Sequence, residues 1–264
     1  MNKKLELLVL IIAFVLMGCS GGTNTKKDHE RDSEIDQKQA SMTNVQLGIG
    51  YFKRGNYEVS QDKLLRAIEQ DPNNIVAYTT MAFLLMQINK MEEAEKYYLD
   101  ALDIKSNDPG LRNGYGTYLC RVGRIDDAME QFKEAYGNPF YKTPYLAYSN
   151  AGTCLLQVEK YGLAEKLLRK ALVMQPELSG ALISMAELSI KTKKYMMARA
   201  YVQRYHAVNK PSAESLWLQV QAERALGATE HYLKYARQLL DEFPDSEQAG
   251  LVGELGRRDR IKQN

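Results

Sequence analysis

The stretch Asn113-Gly114-Tyr115-Gly116-Thr117-Tyr118-Leu119-Cys120-Arg121, followed by Gly123-Arg124 and then Ala128-Met129-Glu130-Gln131-Phe132, decides the fold. Small residues stand at Gly116, Ala128 and Ala135, and large ones at Tyr115, Leu119 and Phe132. The large residues recur at the i, i+3, i+4 spacing of an amphipathic helix. Gly123-Arg124 interrupts the pattern, so the stretch reads as two helices joined by a tight turn. A small residue near the middle of the first helix lets the second approach closely, and those on the second accept what packs next.

The same pattern recurs in both directions. The first small position is occupied by Gly48, Ala82, Gly116, Gly152, Ala186 and Val220, at steps of 34 residues except for 36 between Gly116 and Gly152. Twelve residues behind each stands Ser60, Ala94, Ala128, Ala164, Ala198 or Tyr232, and seven later Ala67, Ala101, Ala135, Ala171, Tyr205 or Leu239. This period and phasing resemble the tetratricopeptide repeat (TPR), a helix-turn-helix unit that stacks into a solenoid. Short breakers separate the paired helices at Gly55-Asn56, Asn89-Lys90, Gly123-Arg124, Lys193-Lys194 and Gly227. Proline-bearing turns separate the repeats at Pro72, Pro109, Pro176, Pro211 and Pro244, where proline stops one helix and is tolerated in the first turn of the next.

The expected fold is therefore all-α: a right-handed superhelical solenoid of six TPR helix pairs over residues 41–243, with a short cap helix and frayed tail over 244–264. The sixth repeat is degenerate, with Tyr232 and Leu239 where small residues are expected, as terminal repeats tend to be. The two extra residues fall in Asn138-Pro139-Phe140-Tyr141-Lys142-Thr143-Pro144-Tyr145. This segment reads either as a longer turn with its aromatics tucked in or as a partner-contact loop.

Residues 1–18 read as a signal peptide: Lys3 and Lys4 precede an apolar run, Leu7 to Met17, too short to span a bilayer. The run ends Leu16-Met17-Gly18-Cys19, which resembles the bacterial lipobox and implies cleavage before Cys19 and lipidation of that cysteine. Several acyl chains together anchor firmly where one does not. Ser20 resembles the residue that follows the cysteine in lipoproteins of the outer-membrane class, so the expected location is the periplasmic face of the outer membrane, lipid-anchored. Residues 19–40 are polar and mixed in charge, and read as a flexible tether.

Thirty-five Lys and Arg against thirty-three Asp and Glu leave a formal charge of only +2, which argues against nucleic acid as a partner. His29, His206 and His231 share no helix face at metal-ligand spacing, and no nucleophile elbow, phosphate-binding loop or zinc-protease motif occurs. The reading is no enzyme, no metal, no small-molecule substrate and no cofactor beyond the covalent lipid on Cys19. Cys120 and Cys154 lie on the first helices of neighbouring repeats in an oxidising compartment. A bridge needs Cα atoms within about 7 Å, and packed helix axes sit ~8–10 Å apart. A disulfide is feasible, and two separately buried thiols are the alternative.

In a TPR solenoid the first helices line the groove. Carrying that over names Met42, Val45, Ile49 and Phe52, then Val76, Thr79, Phe83 and Met86, then Asn113 and Thr117 as a candidate partner-binding groove. On this phasing the first two repeats expose an apolar, methionine-containing strip suited to an apolar or amphipathic segment; a phase shifted by one residue, which would make these side chains core, is the alternative.

The opening block, with Asn150-Ala151-Gly152-Thr153-Cys154, Ala198-Arg199-Ala200-Tyr201 and Glu214-Ser215-Leu216-Trp217-Leu218, resembles the type IV pilus biogenesis and stability lipoproteins of the PilF/PilW family. The resemblance covers nearly the whole chain. It implies a pilotin: a protein that binds the type IV pilus secretin and helps it reach the outer membrane and assemble into its multimeric ring. It places the partner site in the groove of the N-terminal repeats, and it aligns Cys120 and Cys154 with cysteines that pair in some members. A different outer-membrane TPR scaffold, an accessory of β-barrel assembly or a regulator of cell-wall enzymes, is the alternative.

Overall fold

The computed structural model describes residues 24–263, and every regular element among them is a helix. The signal peptide and Cys19 lie outside the described residues. Among the described residues thirteen helices run in order: α1 Asn24–Lys53, α2 Tyr57–Gln70, α3 Ile75–Gln87, α4 Met91–Ile104, α5 Pro109–Arg121, α6 Ile125–Gly137, α7 Pro144–Gln157, α8 Tyr161–Met174, α9 Ser179–Lys191, α10 Tyr195–Val208, α11 Ala213–Ala225, α12 Thr229–Glu242 and α13 Glu247–Gln263. They form six helix pairs and a cap helix. The chain divides into two compact units, the first ending at Ile104 with pairs one and two, the second starting at Lys105 with pairs three to six and α13.

Each pair closes on the small residues. A Cβ on Gly116 would lie 2.8 Å from the Phe132 ring, and one on Gly152 would lie 2.6 Å from Leu168 Cγ. Gly48 faces Leu64 in the same way, and the Ser60 hydroxyl donates to its carbonyl at 2.8 Å. The second-helix partners are buried. In the sixth pair the sizes exchange: Val220 occupies the small position and Ala236 stands opposite, both buried in one cluster with Leu216 and Leu239. This exchange between Val220 and Ala236 is a volume swap, which close packing tolerates far better than a net change, and Tyr232 packs against the same cluster.

The turns inside the pairs carry a second copy of the period. Positive φ occurs at Gly55, Asn89, Gly123, Glu159, Lys193 and Gly227, one per pair, so every pair turns through the left-handed region at the same phase. The breaker of the fourth pair is Glu159, which composition does not mark because glutamate is an ordinary helix former.

In the first unit, Asn74 caps α3 by accepting from the amides of Val76 (3.1 Å) and Ala77 (3.3 Å). Its own amide donates to Ser41 Oγ at 2.8 Å, and Ser41 donates to the Ala67 carbonyl at 2.7 Å. This buried chain of bonds ties pair one to pair two. In the second unit, Arg199 of α10 holds the buried Glu223 of α11 through both carboxylate oxygens, with Gln219 donating to the same carboxylate. A buried carboxylate demands such partners, since an unpaired charge there costs several kcal/mol, on the order of 3–5.

One boundary differs from the sequence reading. The first helix begins at Asn24, so residues 24–40, expected as flexible tether, are helical. The stretch has neither proline nor glycine, Glu34 and Lys38 pair at i, i+4 (2.6 Å), and a helix nucleated by its packed end propagates one bond per residue. The cap helix starts at Glu247 and buries Ala249 and Val252, with Val252 in the cluster of the sixth pair and Leu255 packed against it.

Candidate functional site

The expected groove is positioned by the first helix of each pair, and the structure sorts its residues by burial. In the first unit Met42, Val76 and Phe83 are exposed (41, 43 and 43 %). Ile49, Phe52 and Thr79 are partly exposed. The Phe52 and Phe83 rings meet at 5.4 Å between centroids, which joins α1 to α3 through an aromatic contact open to solvent. Tyr57, 41 % exposed, stands 5.7 Å from Phe52 and extends the aromatic patch. The groove phasing did not find Tyr57 because it counts first-helix positions only, and Tyr57 opens the second helix.

Val45 and Met86, expected in the groove, are core residues, each 2 % exposed. Val45 belongs with Ser41 and Gly48 to the row of α1 that turns inward. Met86 sits against the Tyr98 hydroxyl at 3.7 Å. The reason is legible in α3, Ile75–Gln87: it is apolar nearly all round, so its periodicity does not separate the inner face from the outer. The remaining strip is narrower than expected but continuous in chemistry: thioether, aliphatic and aromatic, with no charged member. Thr79, its polar member, satisfies its hydroxyl on the Ile75 carbonyl at 3.0 Å and so presents its methyl side.

The second unit offers a different face. Asn113 and Thr117 are partly exposed, and Asn113 accepts from the Asn150 amide at 3.1 Å while Thr117 donates back to the Asn113 carbonyl at 3.0 Å. Thr153 and Ser184 share a hydrogen bond of 2.8 Å. Beside this polar ladder Cys120 and Cys154 form a disulfide, with Cα atoms 5.8 Å apart, joining the first helices of pairs three and four. The 34 residues between the cysteines equal the ordinary repeat step, so they span adjacent first helices although the local step between Gly116 and Gly152 is 36. A cleft of about 420 Å³ lies along it, lined by Thr117, Arg121, Asn150, Thr153 and Gln157.

Titratable groups in the second unit respond to burial. Burial pushes the Glu187 carboxyl up, with Glu214 adding to the shift, and lowers the His206 imidazole, which shares a 2.9 Å hydrogen bond with Ser215. Among the described residues no group of three or more His, Cys, Asp or Glu is placed to hold a metal ion. No helix among them is long and apolar enough to cross a membrane.

Comparison with known proteins matches residues 63–96 to the tetratricopeptide repeat family. The chain is 28 % identical over 242 residues to the type IV pilus assembly protein PilF of Pseudomonas aeruginosa, covering 90 % of this chain and 94 % of that one. The crystal structure of PilW, described as a widely conserved type IV pilus biogenesis factor, superposes with a TM-score of 0.72 at 30 % identity, over 81 % of this chain and 98 % of that one. The chain belongs to the PilF/PilW family of type IV pilus biogenesis proteins. The structure of the Pseudomonas aeruginosa PilF agrees, at TM-score 0.69 and 26 % identity over 84 % of this chain and 99 % of its own.

Proposed function

We propose that this protein is the pilotin of a type IV pilus system, a lipid-anchored binding protein that engages the pilus secretin and promotes its outer-membrane localisation and multimer assembly. The observation that carries the reading is the aromatic and aliphatic strip of the first unit, with Met42, Val76 and Phe83 exposed, Phe52 partly exposed and no charged residue among them, in a chain of the PilF/PilW family. Exposed apolar strips on a TPR face mark interfaces, and their large side chains are where binding energy concentrates. The work is binding rather than catalysis: the strip supplies grip, and the lipid on Cys19 supplies address. An amphipathic strand or helix of the secretin, laying apolar side chains against Phe52 and Phe83, is the partner such a surface fits.

The test is secretin state in a strain lacking the protein, by unheated gel electrophoresis of membrane fractions. The expected result is loss of the high-mass secretin band with monomer retained, restored by the wild-type chain and not by Phe83→Glu. Persistence of the multimer in the outer membrane without the protein overturns the reading. Cys19→Ala separates address from grip: it is expected to leave the chain folded but free of the membrane fraction, and retention there removes the lipid anchor from the proposal.

A further inference from the structure

The insert between α6 and α7 does two things with its aromatics. Tyr141 turns inward, half-buried and within hydrogen-bond reach of Asn113 and Thr143. Phe140 turns outward and is 87 % exposed. Its position is held from beneath: the Phe140 amide donates to Asn138 Oδ1 at 2.9 Å, and the Asn138 amide donates to the Asn107 carbonyl at 3.4 Å. A large apolar side chain on a pinned loop loses little further entropy on contact, which is what an anchoring residue requires.

Phe140 stands at the edge of a cleft of about 740 Å³ whose walls include Arg112, Lys133, Tyr136 and Tyr148. The two tyrosine rings stack at 4.3 Å, and Lys170 Nζ lies 5.2 Å from the centroid of Tyr148. Arg112 spends one guanidinium N–H on a neutral partner, Gln131 Oε1, at 2.8 Å. Among the described residues no ion pair engages Arg112, Lys133 or Lys170. Of the acidic side chains, Glu134 is part of the cleft lining and Asp108 acts on the neighbouring Tyr141. Asp108 is committed to Lys105 (3.2 Å) and to capping the Leu111 amide (3.0 Å). Cations therefore outnumber available carboxylates around an aromatic floor, the complement of a chain bearing acidic and apolar side chains together.

We propose that this cleft is a second protein-docking surface, one that takes an acidic peptide segment carrying an apolar side chain, with carboxylates on Arg112 and Lys133 and the apolar side chain against Phe140. It is built by the one departure from the 34-residue step, so the insert is a functional addition to the repeat. It is independent of the secretin-binding strip and stands whether or not that strip binds the secretin.

The experiment is a fluorescence anisotropy titration of the full chain with a labelled peptide alternating Glu with Leu and Phe, against its Lys-for-Glu counterpart. The acidic peptide is expected to bind about tenfold or more tightly than the basic one. Lys133→Glu and Phe140→Ser are each expected to cut that affinity by about tenfold, and Phe83→Glu to leave it unchanged. Both cleft residues are exposed, so the variants keep the wild-type melting curve, and amide shifts in an NMR titration report whether the peptide sits at α5, α6 and α7. Equal binding of the two peptides, or binding unmoved by both cleft variants, overturns the proposal. So does a cell-wall glycan fragment that shifts the same amides while the acidic peptide does not, or a self-association that Phe140→Ser abolishes.

Discussion

The two units build the same helix pair and present chemically different surfaces. In the first, α1 and α3 turn thioether, aliphatic and aromatic side chains outward. In the second, α5, α7 and α9 carry a polar ladder of Asn113, Thr117, Asn150, Thr153 and Ser184, linked by hydrogen bonds beside a disulfide. The internal adhesives differ too: the first unit is tied by the Ser41–Asn74 hydrogen-bond chain, the second by Cys120–Cys154 and the Arg199–Glu223 pair. The repeat constrains only the positions that pack inside a pair. What faces outward, and what joins one pair to the next, is free to diverge, and that freedom is where function is written.

The largest expected effect strikes what the units share. Phe132→Ala empties the site against Gly116 and is expected to cost about 3–5 kcal/mol, read as the shift of the urea midpoint followed by circular dichroism. A cost below that of an exposed Phe140→Ala would show that the pairs are not closed by this contact. The next separates the units. Removing the disulfide with Cys120→Ser and Cys154→Ser is expected to cost about 2–4 kcal/mol. Hydrogen exchange should locate the loss in α5 to α8, with α1 to α4 unchanged, and equal loss of protection in both units breaks the distinction. Asn74→Ala is the counterpart in the first unit. It removes the α3 cap and leaves the buried Ser41 hydroxyl with one partner fewer, at an expected cost of about 1–2 kcal/mol. Here protection should fall in α1 to α4 alone.

The smallest effect tests the turn shared by all six pairs. Glu159→Gly and Lys193→Gly replace residues held at φ 59° and 58° and are expected to stabilise by about 0.5 kcal/mol each, whereas Gly123→Ala, at φ 83°, costs about 1 kcal/mol. Calorimetric melting of the three variants gives the ordering directly. If Gly at position 159 destabilises instead, the carboxylate side chain holds that turn by a contact that outweighs its backbone cost.

Helix count, pairing and phase were legible because packing inside a pair needs a small residue opposite a large one, and that need recurs at every repeat. The cysteines were legible as a feasible bridge, though spacing alone left two separate thiols open. Half of the groove was harder. Met42, Val76 and Phe83 were found at the right phase, but Val45 and Met86 were counted with them because an apolar helix carries no periodicity to tell its faces apart. Tyr57 had no signal, and the sequence left open whether the aromatics of the insert tuck in or face out, since each depends on which neighbours a side chain meets after folding.

By itself, then, the sequence determined the architecture of the chain: a repeating size pattern in which local choices agree with one another specifies a stack of helix pairs without reference to distant contacts. The tertiary structure decided which apolar residues remain outside, that residues 24–40 continue a helix, and that the insert half-buries Tyr141 while leaving Phe140 in solvent. Those outcomes turn on how much room neighbouring helices leave, a volume set jointly by residues far apart in the chain, and no single segment encodes it.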